Sequence, residues 1–175
     1  YFFAWGAQLE VGTFASSYIP TASTAASRAA DVASFTLPFD PSQGFSLVWS
    51  GYISRFDDYA AIISMGSAGD PRLGTEASNR IMLNTPTLHL GPSGTIVGQH
   101  TFGVSASAAG LINIARDGVL VTEITGGDIS DIASTWRLSQ DIRTDKNYEG
   151  ETRHQSLIVW DAAIPRERLR GLTAL

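Results

Sequence analysis

Alternation with a period of two is the strongest pattern in this chain. From Phe45 to Ile53, the residues Phe45, Leu47, Trp49 and Ile53 alternate with Ser46, Val48, Ser50 and Tyr52. That spacing belongs to a strand with one face in a core. It predicts a buried Trp49, and a Tyr52 that shares the opposite, solvent-facing side with Ser46 and Ser50. Shorter extended runs are predicted over Ser34–Leu37, Ala60–Met65, Arg80–Leu83, Thr87–Leu90, Thr95–Val97, Thr101–Ser105, Leu111–Ala115, Val119–Ile124, Thr135–Ser139 and Ser156–Trp160. Asp117-Gly118 lies between two of them and supplies the positive φ angles of a tight hairpin turn.

No window of about 15 residues keeps a 3.6 period. Helical character is confined to Pro165–Leu172, where Pro165 suits a first turn and Leu169 and Leu172 stand three apart. Upstream, Phe2–Leu9 and Ala15–Ile19 read as extended pieces ended by Gly12 and Pro20. Thr21–Asp31 has linker composition. Many short strands between turn residues, with one terminal helical turn, predict an all-β sandwich or barrel. No internal repeat of 20–50 residues supports a propeller or solenoid.

Composition narrows the function. The chain has 175 residues, 43% hydrophobic and 17% charged, which is one globular domain with a thinly charged surface. The absence of cysteine excludes disulfide frameworks, thiolate metal sites and Cys nucleophiles. A net charge of −5 argues against nucleic acid as the main partner. Lys146 is the single lysine, so a lysine-rich surface is absent. No apolar run approaches the ~18 residues of a membrane span, so membrane insertion is not expected. The opening at Tyr1, inside an apolar stretch, reads as a piece of a longer polypeptide rather than as a signal peptide.

Candidate catalytic groups are thin. A glycosidase needs two carboxylates ~5–5.5 Å or ~6.5–9.5 Å apart across the scissile bond. Glu149 and Glu151 flank Gly150 beside Lys146 and Asn147, which is turn composition. Asp57 and Asp58 are adjacent, and in an extended chain would face opposite ways. His89, His100 and His154 are scattered, without a Gly-x-Ser-x-Gly elbow, and are expected on strand surfaces or at satisfied interior sites. No phosphate loop or dinucleotide fingerprint is present.

No cofactor is expected. Asp145, Asn147, Glu149 and Gly150 resemble the start of a calcium loop, but its twelfth position falls on Ser156. A looser calcium site drawing on Asp141 or Asp57 stays open as the less favoured alternative.

Recognition chemistry is better represented. The longest polar stretch, Gln140–Gln155, holds Arg143, Asp145, Asn147 and Tyr148. This set can hydrogen-bond vicinal hydroxyls and stack on a pyranose, and long loops on rigid β scaffolds commonly carry recognition. Tyr52, Arg143, Asp145, Asn147 and Tyr148 are therefore the candidate ligand-binding residues, with an idle surface loop as the plainer reading.

Two stretches carry a family resemblance. AWGAQLEVGTFASSYIPT (residues 4–21) followed by SRAAD (residues 27–31) resembles a connector of phage tail fibres, in which a strand pair closes an upstream sandwich and leads into the next module. Residues 34–175 are similar in layout to the concanavalin A-like, laminin-G-like jelly roll, through Ile112–Val121, Trp136–Ser139 and Leu157–Leu169.

The resemblance implies terminal strands or a connector over 1–21, a linker over 22–33 and an antiparallel β-sandwich over 34–175. It also implies a non-catalytic structural and adhesive module on the outside of a virion. Its partners would be sibling chains in a homotrimer, other virion proteins and a host-surface polysaccharide. The Ala/Ser/Gly-rich stretches Ala106–Gly110 and Ile124–Ser134 would then pack against those siblings. A carbohydrate-binding module of a secreted bacterial polysaccharide-active protein is the alternative, and a divergent glycoside hydrolase or lyase is less favoured.

Overall fold

The structure is a computed structural model. It describes residues 9, 20, 24, 33–55, 61–66, 72–76, 80–85, 88–93, 96–138 and 151–174, with backbone alone for 54, 55, 76, 88–93, 121 and 151. The chain divides into two compact units, residues 1–31 and 32–175. The extended pieces expected over Phe2–Leu9 and Ala15–Ile19, and the linker, fall outside the described residues apart from single positions.

In the second unit the described strands are β1 (Ser34–Thr36), β2 (Gly44–Arg55), β3 (Ala61–Ser64), β4 (Arg72–Glu76), β5 (Arg80–Asn84), β6 (Leu88–Ser93), β7 (Gly98–Ser107), β8 (Ile112–Arg116), β9 (Val119–Ile124), β10 (Thr135–Leu138) and β11 (Glu151–Trp160). Helix α1 (Arg166–Thr173) follows them. One sheet runs β1-β10-β3-β4-β5-β6, the other β11-β2-β7-β8-β9, and neighbouring strands are antiparallel. We call them the six-stranded and five-stranded sheets.

Their inner faces share one core. Phe45, Leu47, Trp49, Ile53, Phe102, Val104, Ile112 and Ile114 come from the five-stranded sheet, and Ile63, Leu73, Ile81, Leu83 and Trp136 from the other. Trp49 is fully buried, as its alternation predicts, and stacks on Phe102 with centroids 5.5 Å apart. Trp136 meets Phe45 edge-on at 5.5 Å and donates its indole N–H to the Ala133 carbonyl at 2.7 Å. Ile129 and Ile132 also turn into this core from the stretch before β10.

Helix α1 sits where the outer face of the five-stranded sheet carries small side chains. The buried hydroxyls of Ser46 and Ser105 donate to the carbonyls of Ala162 and Ile164 and accept from the Ile164 N–H, at 2.8–3.0 Å. These bonds fix the turn that enters the helix. Leu169 then packs with Val48, Ala115 and Ile164. A Cβ on Gly103 would stand 2.8 Å from Leu169 Cδ1 and from Thr173 Cγ2, so the helix approaches over bare backbone there. At the far end Thr173 Oγ1 accepts from the Gly118 N–H at 3.2 Å.

Three expectations are corrected. Ile96 and Val97 are not strand; the chain turns there, and Gly98, at φ 133, opens β7. Strand β4 went unread because Arg72-Leu-Gly-Thr-Glu shows one large apolar residue, and its extended form comes from pairing with β3 and β5 on both sides. Strand β11 starts at Glu151, so residues 151–155, expected in a loop, belong to a strand, and 151–154 pair with β2. The Asp117-Gly118 turn is as predicted, with φ of 49 and 80.

Leu169→Ala should cost about 2–3 kcal/mol, within the usual range for a buried Leu truncation. Thermal unfolding measures the loss, and hydrogen exchange should show α1 released before the sheets.

Candidate functional site

The outer face of the five-stranded sheet is covered unevenly. Helix α1 lies over β7, β8 and β9. Beyond it, β11 and the C-terminal half of β2 stay open. Strand register sets the order of side chains on that open half. Arg153 of β11, Tyr52 of β2 and Gln99 of β7 are direct cross-strand partners and form one row. Facing residues in such a row lie ~4.5–5.5 Å apart at their backbones. Ser156, Ser50 and Thr101 form the next row toward the helix. Tyr52 is 40% exposed, and Arg153 and Gln99 are exposed beside it. Ile158, 51% exposed, adds an apolar flank.

A bulge in β11 enlarges this face. Pairing steps from His154–Gly51 to Ser156–Ser50, so Gln155 is an extra residue. Gln155 reaches across to Gln99, and the two amides exchange hydrogen bonds at 2.8 and 3.3 Å. Gln99 also donates to Ser50 Oγ at 3.4 Å. The amide pair is thus held in place before any ligand arrives, and Arg153 is the charged group among the described residues of this face.

Beneath it, on the inner side, two of the three histidines, His100 and His154, come closer than their sequence positions imply. Gly51 pairs with His154 on one side and His100 on the other. Trp49 donates its indole N–H to His154 Nδ1 at 2.8 Å, and the rings meet edge-on at 5.9 Å. Indole is a donor only, so Nδ1 carries no proton and the imidazole is neutral, with Nε2 3.2 Å from Thr152 Oγ1. Burial pushes the His154 pKa below its ordinary value, because it penalises the cation.

His100 stacks on Phe102 and donates from Nδ1 to Asp117 Oδ2 at 2.7 Å, while Asp117 Oδ1 accepts from the Thr101 N–H at 2.8 Å. The buried Nε2 of His100 has no hydrogen-bond partner, contrary to the expected satisfied site.

Of the predicted ligand-binding residues, Tyr52 stands on this open face. Arg143, Asp145, Asn147 and Tyr148 lie outside the described residues, as do Asp57, Asp58, Asp141 and Glu149. Strand β11 begins at Glu151, which pairs with Arg55 at the Tyr52 end of β2. Among the described residues no three His, Cys, Asp or Glu side chains gather in a metal-binding group. Arg153, Gln99 and Gln155 were missed in the sequence. Their alternation with Thr152 and His154 is blurred by polar residues on both faces and by the bulge.

No family model and no curated protein matches the chain. Among solved structures, it is similar to the CBM40 of the Ruminococcus gnavus IT-sialidase bound to α2,3-sialyllactose, at 15% identity over 76% of this chain and 83% of that one, with a TM-score of 0.63. It is also similar to the NanB sialidase of Streptococcus pneumoniae, at 13% identity over 76% of this chain and 26% of that one, TM-score 0.59. A heptameric SAP-like pentraxin from Limulus polyphemus matches at 12% identity over 75% and 70%, TM-score 0.55. At such identities the likeness is one of fold: an all-β antiparallel sandwich of the lectin-like jelly-roll kind with one short C-terminal helix.

Two outcomes are expected. Gly51→Ala should destabilise the sheet, because a Cβ there would stand 2.4 Å from the Arg153 carbonyl and 2.5 Å from the Trp49 ring; thermal unfolding and tryptophan fluorescence would register it. The lowered His154 pKa gives a pH dependence. The unfolded chain takes up the proton first, near pH 6.5. Stability is therefore full above that pH and declines as pH falls toward the folded value. His154→Asn should flatten that decline in melting curves between about pH 7.5 and 5.

Proposed function

We propose that this sandwich is a non-catalytic glycan-binding module, and that its contact surface is the open half of the outer face of the five-stranded sheet. The observation that carries the reading is the Arg153–Tyr52–Gln99 row, backed by the Gln99–Gln155 amide pair. A phenol ring offers a flat apolar face for the C–H side of a pyranose. Two interlocked amides, a guanidinium and the Ser50 and Ser156 hydroxyls supply planar donors and acceptors for vicinal hydroxyls. Because the amides already hold each other, less side-chain freedom is lost on binding. Arg143, Asp145, Asn147 and Tyr148 are proposed to extend the surface from the connection 139–150. Binding of this kind calls for no cofactor.

The sialyllactose held by the similar R. gnavus module supports a sugar ligand. Two of the described acids are turn carboxylates held in the ionised form. Asp40 is held below the ordinary carboxylate range, first by the Ser42 hydroxyl and then by the Ser42 N–H. Asp128 is held there first by the Ser130 N–H. Both stay ionised near neutral pH and offer no proton to a leaving group.

Two contexts fit such a module. One is an appended carbohydrate-binding domain of a secreted bacterial polysaccharide-active protein, which the sialidase-derived neighbours favour. The other is the virion fibre implied by residues 4–21 and 27–31, homotrimeric and bound to host-surface polysaccharide. Light scattering separates them: a monomer favours the first, a trimer the second.

Calorimetry against a panel of neutral and acidic oligosaccharides should find a ligand. Tyr52→Ala should then weaken binding about tenfold or more, as truncated aromatic anchors do. Equal binding by a folded Tyr52→Ala variant would move the site elsewhere, and a panel without a ligand would remove the reading.

A further inference from the structure

The outer face is shaped by a group that lies behind it. Gln155 meets Gln99 because β11 carries an extra residue, and that residue directly follows His154. A bulge leaves one position without a ladder partner and bends its strand, so something must hold it in one form. On the inner side the His154 imidazole accepts the Trp49 indole proton at 2.8 Å, next to that extra residue. Gly51 has no side chain, and the indole ring lies where its Cβ would stand. One face of the bulge is thus anchored by a neutral imidazole, and the other presents Gln155, with Arg153 just before it.

We propose that His154 is a positioning residue for the outer-face site and makes ligand binding pH-sensitive: protonation of His154 removes the acceptor for Trp49, releases the bulge and separates Gln155 from Gln99. The inference rests on the outer-face reading given above.

The direction follows from the hydrogen bond. An imidazolium has donors at both nitrogens, so Nδ1–H would face the indole N–H. Burial keeps the neutral form down to pH values below the ordinary histidine range, which places the loss on the acid side. Strand β2 presents Trp49 and Gly51 to His154, neither of which titrates. From β7 comes His100, one strand beyond Gly51, tied to Asp117 in the β8–β9 turn, with Arg116 3.8 Å from the same carboxylate. On β11 itself Arg153 points to the outer face, and Thr152 carries no charge. The inward positions of the six-stranded sheet include Ile63, Leu73, Ile81 and Trp136, and the charged Arg72 of β4 is buried as well. Among the described residues His100 is the other histidine on this side, one strand away from His154.

The variant that separates the two histidines is His154→Asn, whose side-chain carbonyl can accept the indole proton at any pH. Ligand affinity is measured at pH 7.5 and 5.0 with the best-binding oligosaccharide of the panel. The side-chain amide resonances of Gln99 and Gln155 and the Trp49 indole resonance are followed by NMR over the same range, without ligand. The wild type should lose affinity on the acid side as His154 protonates, by about fivefold or more once that protonation is complete, the scale of losing one ordinary hydrogen bond. The His154→Asn variant should bind equally at both values. The three resonances should move together along one titration curve in the wild type and stay still in the variant.

Glutamine resonances that ignore the His154 titration would overturn the proposal, with or without a ligand. An unchanged pH dependence in His154→Asn would do the same and assign the effect to His100. Coupled resonances with no oligosaccharide bound would uphold the positioning role and remove the glycan reading.

Discussion

The fold turns on how closely helix α1 can approach the five-stranded sheet. It docks where the outer face carries Ser46, Gly103, Ser105 and Ala115, and both serines spend their hydroxyls on the turn that leads into it. The helix lies over β7, β8, β9 and the near part of β2, and two and four residues beyond Val48 and Gly103 the outward side chains become Ser50 and Thr101, then Tyr52 and Gln99. Beyond the helix nothing among the described residues covers Tyr52 or Arg153 as Leu169 covers Gly103. The boundary between a second small core and an open polar surface is therefore drawn by side-chain size along two paired strands.

Strand β2 joins the two sides of that surface. Its inward residues build the main core, while its outward residues pass from covered to open. At Gly51 the sides communicate. Without a Cβ, this position lets the Trp49 indole fold across the strand to reach His154, and His154 sits at the foot of the bulge that turns Gln155 outward. A buried hydrogen bond and an exposed amide pair thus share one backbone irregularity. The same end of the sandwich holds the His100–Asp117 pair in the β8–β9 turn, so polar chemistry gathers there.

Much of this architecture is legible without coordinates wherever one residue pattern has one structural solution. The alternation from Phe45 to Ile53 predicts β2, its buried Trp49 and its exposed Tyr52. Asp117-Gly118 predicts the hairpin because few other pairs accept positive φ at both positions. Pro165 and the Leu169–Leu172 spacing predict the terminal helix. Strand β4 and the first half of β11 are a different case. Arg72–Glu76 and Glu151–Gln155 have little intrinsic strand character, and they are extended because partners on neighbouring strands take up their backbone hydrogen bonds.

The site follows the same division. By itself the sequence determined an all-β sandwich, an outward Tyr52 and a chain poor in catalytic groups, because these depend on local periodicity and composition. The tertiary structure alone decided that Arg153 and Gln99 flank Tyr52, that Gln155 crosses to Gln99, and that His154 accepts from Trp49. Those pairs stand between 47 and 105 positions apart in the chain, and what joins them is strand register. Register is set by which face each strand buries and by a one-residue bulge, and a slip of one position would send every one of these side chains to the opposite face.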